Sequence, residues 1–289
     1  MEDETLFSPL IDTSKLNDLL GDENVVLVDC RFSLDNPEAG KNRWMTSRIP
    51  GALYAHLDHE LSSPIGDGSK GRHPLPHPRR IRQLLDAWQV HEDTLLVAYD
   101  DAGGAFAARL WWMARWMGHN GVCVLDGGWP AWVAFGGPVD ETPIASWAPI
   151  NAPEPADEPI SHEEGWLATA DELMTASTLL VDARARARYL GTEEPIDRVA
   201  GHIPGAANLP WMENLSPDGH FLPPKVLAAR WQAVGGTENA VTYCGSGVTA
   251  CHNILAAAAA GLALPRLYAP SWSGWISDPE RPVETGKAD

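Results

Sequence analysis

The sequence predicts an α/β chain of two tandem domains, each a mostly parallel sheet flanked by helices. Three observations predict this. The chain has 289 residues, 44% of them hydrophobic, enough for two cores. Short continuous apolar runs alternate with helix-type stretches, the pattern of a sheet covered on both faces. The same series of segments also occurs twice, in the same order.

VVLVDCR (Val25–Arg31) matches TLLVDAR (Thr178–Arg184), and RIPGALY (Arg48–Tyr54) matches HIPGAAN (His202–Asn208). LLVAYDDAGGAFAARLWW (Leu95–Trp112) parallels AVTYCGSGVTACHNILA (Ala240–Ala256). VCVLDGGWPAW (Val122–Trp132) parallels PRLYAPSWSGW (Pro265–Trp275). Two copies at so long a period mean duplicated domains, not a solenoid. The expected domains span 1–140 and 166–289, with a Pro- and acid-rich linker over 141–165 lying along the surface. In the second half STLLVDA reads as a strand and GAANLPW as a short extended piece. PPKVLAARWQAV reads as a helix, NAVTYC as a strand, VTACHNILAAAAAGL as a helix and PRLYA as a strand.

The formal charge of −18 argues against nucleic acid or an anionic membrane as partner, while a small anion can still meet a local basic pocket. The four cysteines, Cys30, Cys123, Cys244 and Cys251, form no C-x-x-C pair. Neither a zinc site nor a disulfide scaffold is expected. MEDETLFSPL lacks the basic and apolar regions of a signal peptide, and the longest apolar run, Ile254–Pro265, is too short to span a bilayer. A soluble protein of a reducing, cytoplasmic compartment is expected.

CGSGVT (Cys244–Thr249) follows a strand and opens a helix. In such sheets ligands bind beyond the carboxyl ends of strands. Gly245 and Gly247 allow a tight turn. Inward N–H groups through Val248 and Thr249 would form an anion cradle at the positive end of the helix. The loop therefore suits a sulfur that carries negative charge. A phosphatase loop would need C-x5-R, and the residue at that place is Ala250. The first half carries Asp100 where the second has Cys244, so one copy has a nucleophile and the other has none.

VDARARARYLG, GHIPGA, CGSGVTA and the paired tryptophan segments, in this order over nearly the whole chain, resemble the two-domain rhodanese-type sulfurtransferases. CGSGVT is similar to the loop of the 3-mercaptopyruvate branch. Thiosulfate-using relatives carry basic residues directly after the cysteine, where this chain has Gly245 and Ser246. The resemblance implies an inactive N-terminal domain, a catalytic C-terminal domain with the site between them, and a persulfide on Cys244. It implies Arg188, and more loosely Arg198, as holders of the substrate carboxylate, a task suited to a planar guanidinium. It also implies a Ser246–His73–Asp58 relay for proton transfer.

The expected reaction takes sulfur from a small anionic donor, 3-mercaptopyruvate, and passes it to thioredoxin, a small thiol or cyanide. Neither metal nor organic cofactor is needed. The rivals are thiosulfate:cyanide sulfurtransfer and a non-catalytic rhodanese-like binding module. Arg184, two residues after Asp182, is expected in an internal ion pair. Trp129, Trp132, Trp272 and Trp275 are expected to pack on the sheets, and Cys251 to be buried. Ala269 and Pro270 stand where the family has Asp-Gly, which leaves that turn open.

Overall fold

The structure is a computed structural model that describes residues 8–150, 161–163, 165–174 and 178–286. The expected linker over 141–165 thus lies partly outside the described residues. By backbone contacts the chain divides into two compact units. The first holds residues up to Ser62, Pro76–Glu163 and Asp218–His220; the second holds Ser63–Leu75, Glu164–Pro217 and Phe221 onward.

In the first unit the elements run β1 (Leu10–Ile11), α1 (Thr13–Asp18), β2 (Val25–Asp29), α2 (Glu38–Thr46) and β3 (Leu53–Tyr54). They continue with α3 (Pro78–Ala87), β4 (Leu95–Tyr99), α4 (Ala107–Trp116), β5 (Val122–Leu125) and α5 (Gly128–Phe135). The strand order is β1-β5-β4-β2-β3, with every pairing parallel. The central strands are apolar on both faces because helices cover both; Leu96, Val97, Ala98 and Tyr99 are all fully buried. Residues 141–150 lie along this unit: Ile144 N–H donates to Met45 O, and Trp147 meets the Tyr54 ring edge-on at 5.5 Å.

The second unit repeats the plan. It runs α6 (Ala170–Leu173), β6 (Leu179–Asp182), α7 (Arg186–Leu190), β7 (Ala207–Asn208), a 3-10 turn at Trp211–Asn214, and α8 (Pro224–Ala233). Then follow β8 (Ala240–Tyr243), α9 (Thr249–Ala259), β9 (Arg266–Leu267) and α10 (Ser271–Trp275). The order is β7-β6-β8-β9, all parallel. A parallel bridge, Leu167 to Leu267, stands where β1 stands in the first unit. All six elements read from the second half form. The helices and longer strands are shorter than their apolar runs by one to three residues at each end, where backbone groups turn to cap or loop partners.

The duplication extends to atoms. Arg31 donates from its backbone N–H (2.9 Å) and Nε (3.1 Å) to Asp29 Oδ1, and Arg184 donates at the same distances to Asp182 Oδ1. Arg31 lies 4.5 Å over the Trp129 ring and Arg184 4.7 Å over Trp272. The ion pair expected for Arg184 is thus a brace common to both units. Trp132, Trp272 and Trp275 are fully buried, with Trp129 half-buried. Each buried indole N–H finds a carbonyl: Pro138, Val199 and Pro282, all at 2.9 Å. Replacing one such tryptophan by alanine costs about 3–5 kcal/mol, so these residues are architecture. Among the described residues no helix is long and apolar enough to cross a membrane.

Candidate active site

β8 delivers Cys244 to the carboxyl edge of the second sheet. The thiol is 2% exposed, and its Sγ accepts from the Gly247 N–H at 3.1 Å. Three backbone bonds pin the strand end: the Ser271 hydroxyl accepts from Cys244 N–H (3.1 Å), while Trp272 and Ser273 N–H donate to the Cys244 and Gly245 carbonyls at 2.9 Å. Gly247 has φ +81°, and a Cβ there would stand 2.3 Å from the Ala269 carbonyl oxygen. Only glycine fits that position. Val248 is buried just before α9, which begins at Thr249, half-buried; neither contributes a side-chain cap.

The matching loop of the first unit shows what this backbone binds. Asp100 is fully buried, and Oδ1 accepts from Ala102 and Gly104 N–H, both at 2.8 Å. Oδ2 accepts from Phe106 (2.8 Å) and Ala107 (2.9 Å). Burial raises this carboxyl, against the four N–H bonds that pull it down. In the first unit the loop cradles a carboxylate with four N–H groups; in the second, the Cys244 sulfur takes one N–H bond, from Gly247. The other strand thiols have no such setting. Burial pushes Cys123 up to about 12 and Cys30 well above its ordinary value. Cys251 is fully buried, 3.4 Å from the Gly247 carbonyl.

The turn with Ala269 and Pro270 keeps its essential residue. Gly128 in the first unit has φ +56°, and Ser271 has φ +54°. A serine tolerates this left-handed position because its hydroxyl is fixed twice, donating to Tyr268 O (3.0 Å) and accepting from Cys244 N–H. Ser271 supports the cysteine loop and went unnoticed in the sequence, where only its alignment with Gly128 marks it.

His73 belongs to the second unit although it lies early in the chain, because the unit includes Ser63–Leu75. His73 Nδ1 is 2.7 Å from Ser246 Oγ, and both residues are 7% exposed. The structure therefore brings Cys244, Ser246 and His73 together. Asp58 is described with the first unit, exposed, its N–H donating to His56 Nδ1 at 3.1 Å.

Two guanidiniums approach Gly245. A Cβ at that residue would lie 3.1 Å from Arg72 Nη2 and 3.5 Å from both Nη atoms of Arg188. Arg188 donates from Nε to both oxygens of Glu194 (3.0 and 3.1 Å) and from Nη2 to Asp197 (2.8 Å). Arg72 pairs with the other oxygen of Asp197. Burial raises the Asp197 carboxyl, opposed by both arginines; burial also acts on Glu194, but its bond from Arg188 and backbone N–H groups hold it below the ordinary range. Arg198 donates from Nη2 to the Ile276 carbonyl. Sequence reading missed Arg72, whose signal was its place beside His73 in KGRHPLP.

Two parallel α/β units, each ending a central strand in a tight loop that leads into a helix and only one loop carrying a thiol, define a tandem domain of the rhodanese type. The model of the rhodanese-like domain matches residues 12–135 and 167–278, and the chain belongs to that family. It is 44% identical to the "Probable 3-mercaptopyruvate sulfurtransferase" of Pseudomonas aeruginosa over 96% of this chain and 98% of that one. It is 32% identical to the thiosulfate sulfurtransferase of Bos taurus, covering 90% and 89%. Among solved structures it resembles the 3-mercaptopyruvate sulfurtransferase from Leishmania major (TM-score 0.78, 31% identity, 91% of this chain and 73% of that one). SseA from Escherichia coli is also similar (TM-score 0.72, 25% identity, 92% and 99%).

Proposed function

We propose that this chain is a sulfurtransferase that moves sulfur from 3-mercaptopyruvate through a persulfide on Cys244 to a thiol or cyanide, releasing pyruvate. The observation that carries the reading is the buried Cys244 sulfur taking an N–H bond inside an anion cradle, with Ser246 bonded to His73 two residues away. The Cys244 thiolate attacks the donor sulfur. A sulfur–sulfur bond forms, the carbon–sulfur bond breaks, and its electron pair leaves with the carbon as the enolate of pyruvate. Ser246, with His73 behind it, supplies the proton that the carbon takes up. Arg188 holds the donor carboxylate, and the amides from Gly245 to Thr249 hold the sulfur charge. An acceptor such as thioredoxin, a small thiol or cyanide then attacks the outer sulfur, a double displacement. A reducing cytoplasm suits this cycle, because it keeps Cys244 reduced between turnovers.

The likeness to the Bos taurus enzyme favours one second reading, thiosulfate:cyanide sulfurtransfer on the same scaffold. Steady-state rates with both donors separate the two; the expected outcome is a strong preference for 3-mercaptopyruvate. Wild type treated with donor gains about 32 Da, the mass of one sulfur in a covalent intermediate. Cys244→Ser gains nothing and transfers nothing. A wild type that forms no adduct would leave only a binding module.

A further inference from the structure

The two guanidiniums beside Gly245 come from separate stretches of sequence, and one buried carboxylate holds both. Asp197, with its side chain 4% exposed, gives one oxygen to Arg72 and the other to Arg188. Arg188 also rests on Glu194, equally buried. Two positive and two negative charges therefore stand together, and the cluster next to the nucleophile sums to zero. Glu194 also meets Arg184 at 3.3 Å, and Arg184 is matched by Asp182 at 2.6 Å, so adding this pair leaves the sum at zero.

Two consequences follow from general physics. Such a cluster offers directed N–H donors without a net positive field. A singly charged donor can exploit the bonds, whereas a dianion must shed more hydration with no surplus cation to compensate it. The space beside Gly245 is also already taken by Arg72 and Arg188, so a basic side chain at 245 would meet cations there. Both features oppose a doubly charged donor.

We propose that Arg72 is the second guanidinium for the donor's carboxylate, and that Asp197, by bridging Arg72 and Arg188, sets their spacing and cancels one of their charges, so that the site selects monoanionic over dianionic donors. This rests on the sulfurtransferase reading and names the residues that decide its substrate class. Arg72 makes direct contact with the donor; Asp197 is a positioning residue. Ser63–Leu75 secures Arg72 in the second unit, where its N–H donates to Ser273 Oγ at 3.1 Å and Gly71 lies against the Pro270 carbonyl.

The test measures kcat and KM for 3-mercaptopyruvate and for thiosulfate in wild type, Arg72→Gln, Asp197→Asn and Asp197→Glu. Alkylation of Cys244 by the neutral reagent iodoacetamide serves as a control for loop integrity. Arg72→Gln is expected to raise KM for 3-mercaptopyruvate about tenfold or more, the worth of one charge-assisted bond, with a much smaller change in kcat. Asp197→Asn adds one net positive charge and is expected to shift the ratio of kcat/KM toward thiosulfate by about tenfold. Asp197→Glu keeps the charge and is expected to keep wild-type donor preference. If Asp197→Asn does not fold, the KM effect of Arg72→Gln decides alone. A wild type active on 3-mercaptopyruvate whose Arg72→Gln variant keeps its KM, or whose Asp197→Asn variant keeps its donor ratio, overturns the proposal and leaves the sulfurtransferase reading intact. A wild type that turns over neither donor removes that reading itself.

Discussion

Ser246 and Glu60 each carry a consequence that one side chain decides. Pyruvate leaves as a carbanion equivalent that needs a proton, whereas sulfite leaving thiosulfate does not. Ser246→Ala is therefore expected to lower kcat with 3-mercaptopyruvate about 100-fold and to affect thiosulfate turnover far less. Equal losses with both donors would reduce Ser246 to a loop residue. Glu60 concerns stability. Its carboxyl is 1% exposed and accepts from His56 N–H (2.9 Å) and Ile150 N–H (3.1 Å). Burial pushes it up to about 7 from 4.5, against those bonds and the charge of Arg80. A raised acid binds its proton more tightly in the folded state. Its contribution is thus full below about pH 4.5 and lost as pH rises through about 7, a change of up to about 3 kcal/mol. Urea midpoints at pH 5 and pH 8 should show this fall in wild type, and Glu60→Gln should flatten it.

At the scale of elements, the same strand–loop–helix unit serves two ends. In the first unit four N–H groups close on Asp100. In the second, the loop holds the Cys244 sulfur, which accepts from the Gly247 N–H. Asp100→Asn turns an amide NH2 toward two of those donors and leaves them unpaired, at a cost of about 2–4 kcal/mol. Thermal unfolding should register the loss, and a variant as stable as wild type would show that the first loop needs no anion. The elements themselves were legible in the sequence. β8 and α9 follow from an apolar run, two glycines and an alanine-rich stretch, because local periodicity and turn chemistry decide them. Ser271 was legible only through its alignment with Gly128, since the hydroxyl bonds that let a serine hold a left-handed position appear only in the fold.

At the scale of the molecule, a residue's unit is not always set by its place in the chain. Ser63–Leu75 belongs to the second unit and brings Arg72 to Asp197 and His73 to Ser246. A fragment beginning at Ser161 lacks this segment. It is expected to unfold more readily than the same unit in the full chain and to show no turnover of 3-mercaptopyruvate; adding a peptide of residues 63–75 should restore part of both. Full activity in the bare fragment would exclude Arg72 and His73 from the chemistry.

The sequence by itself determined the duplicated α/β plan, the thiol loop standing where its twin carries a carboxylate, and the Asp182–Arg184 brace. Each is written in short-range pattern, or repeated, or carried by a motif. Only the tertiary structure decided that His73 reaches Ser246, that Arg72 stands with Arg188 beside Gly245, and that Asp197 holds both arginines. Ion pairs between residues more than a hundred positions apart leave no local trace, because packing, not periodicity, chooses which of many arginines a buried carboxylate meets.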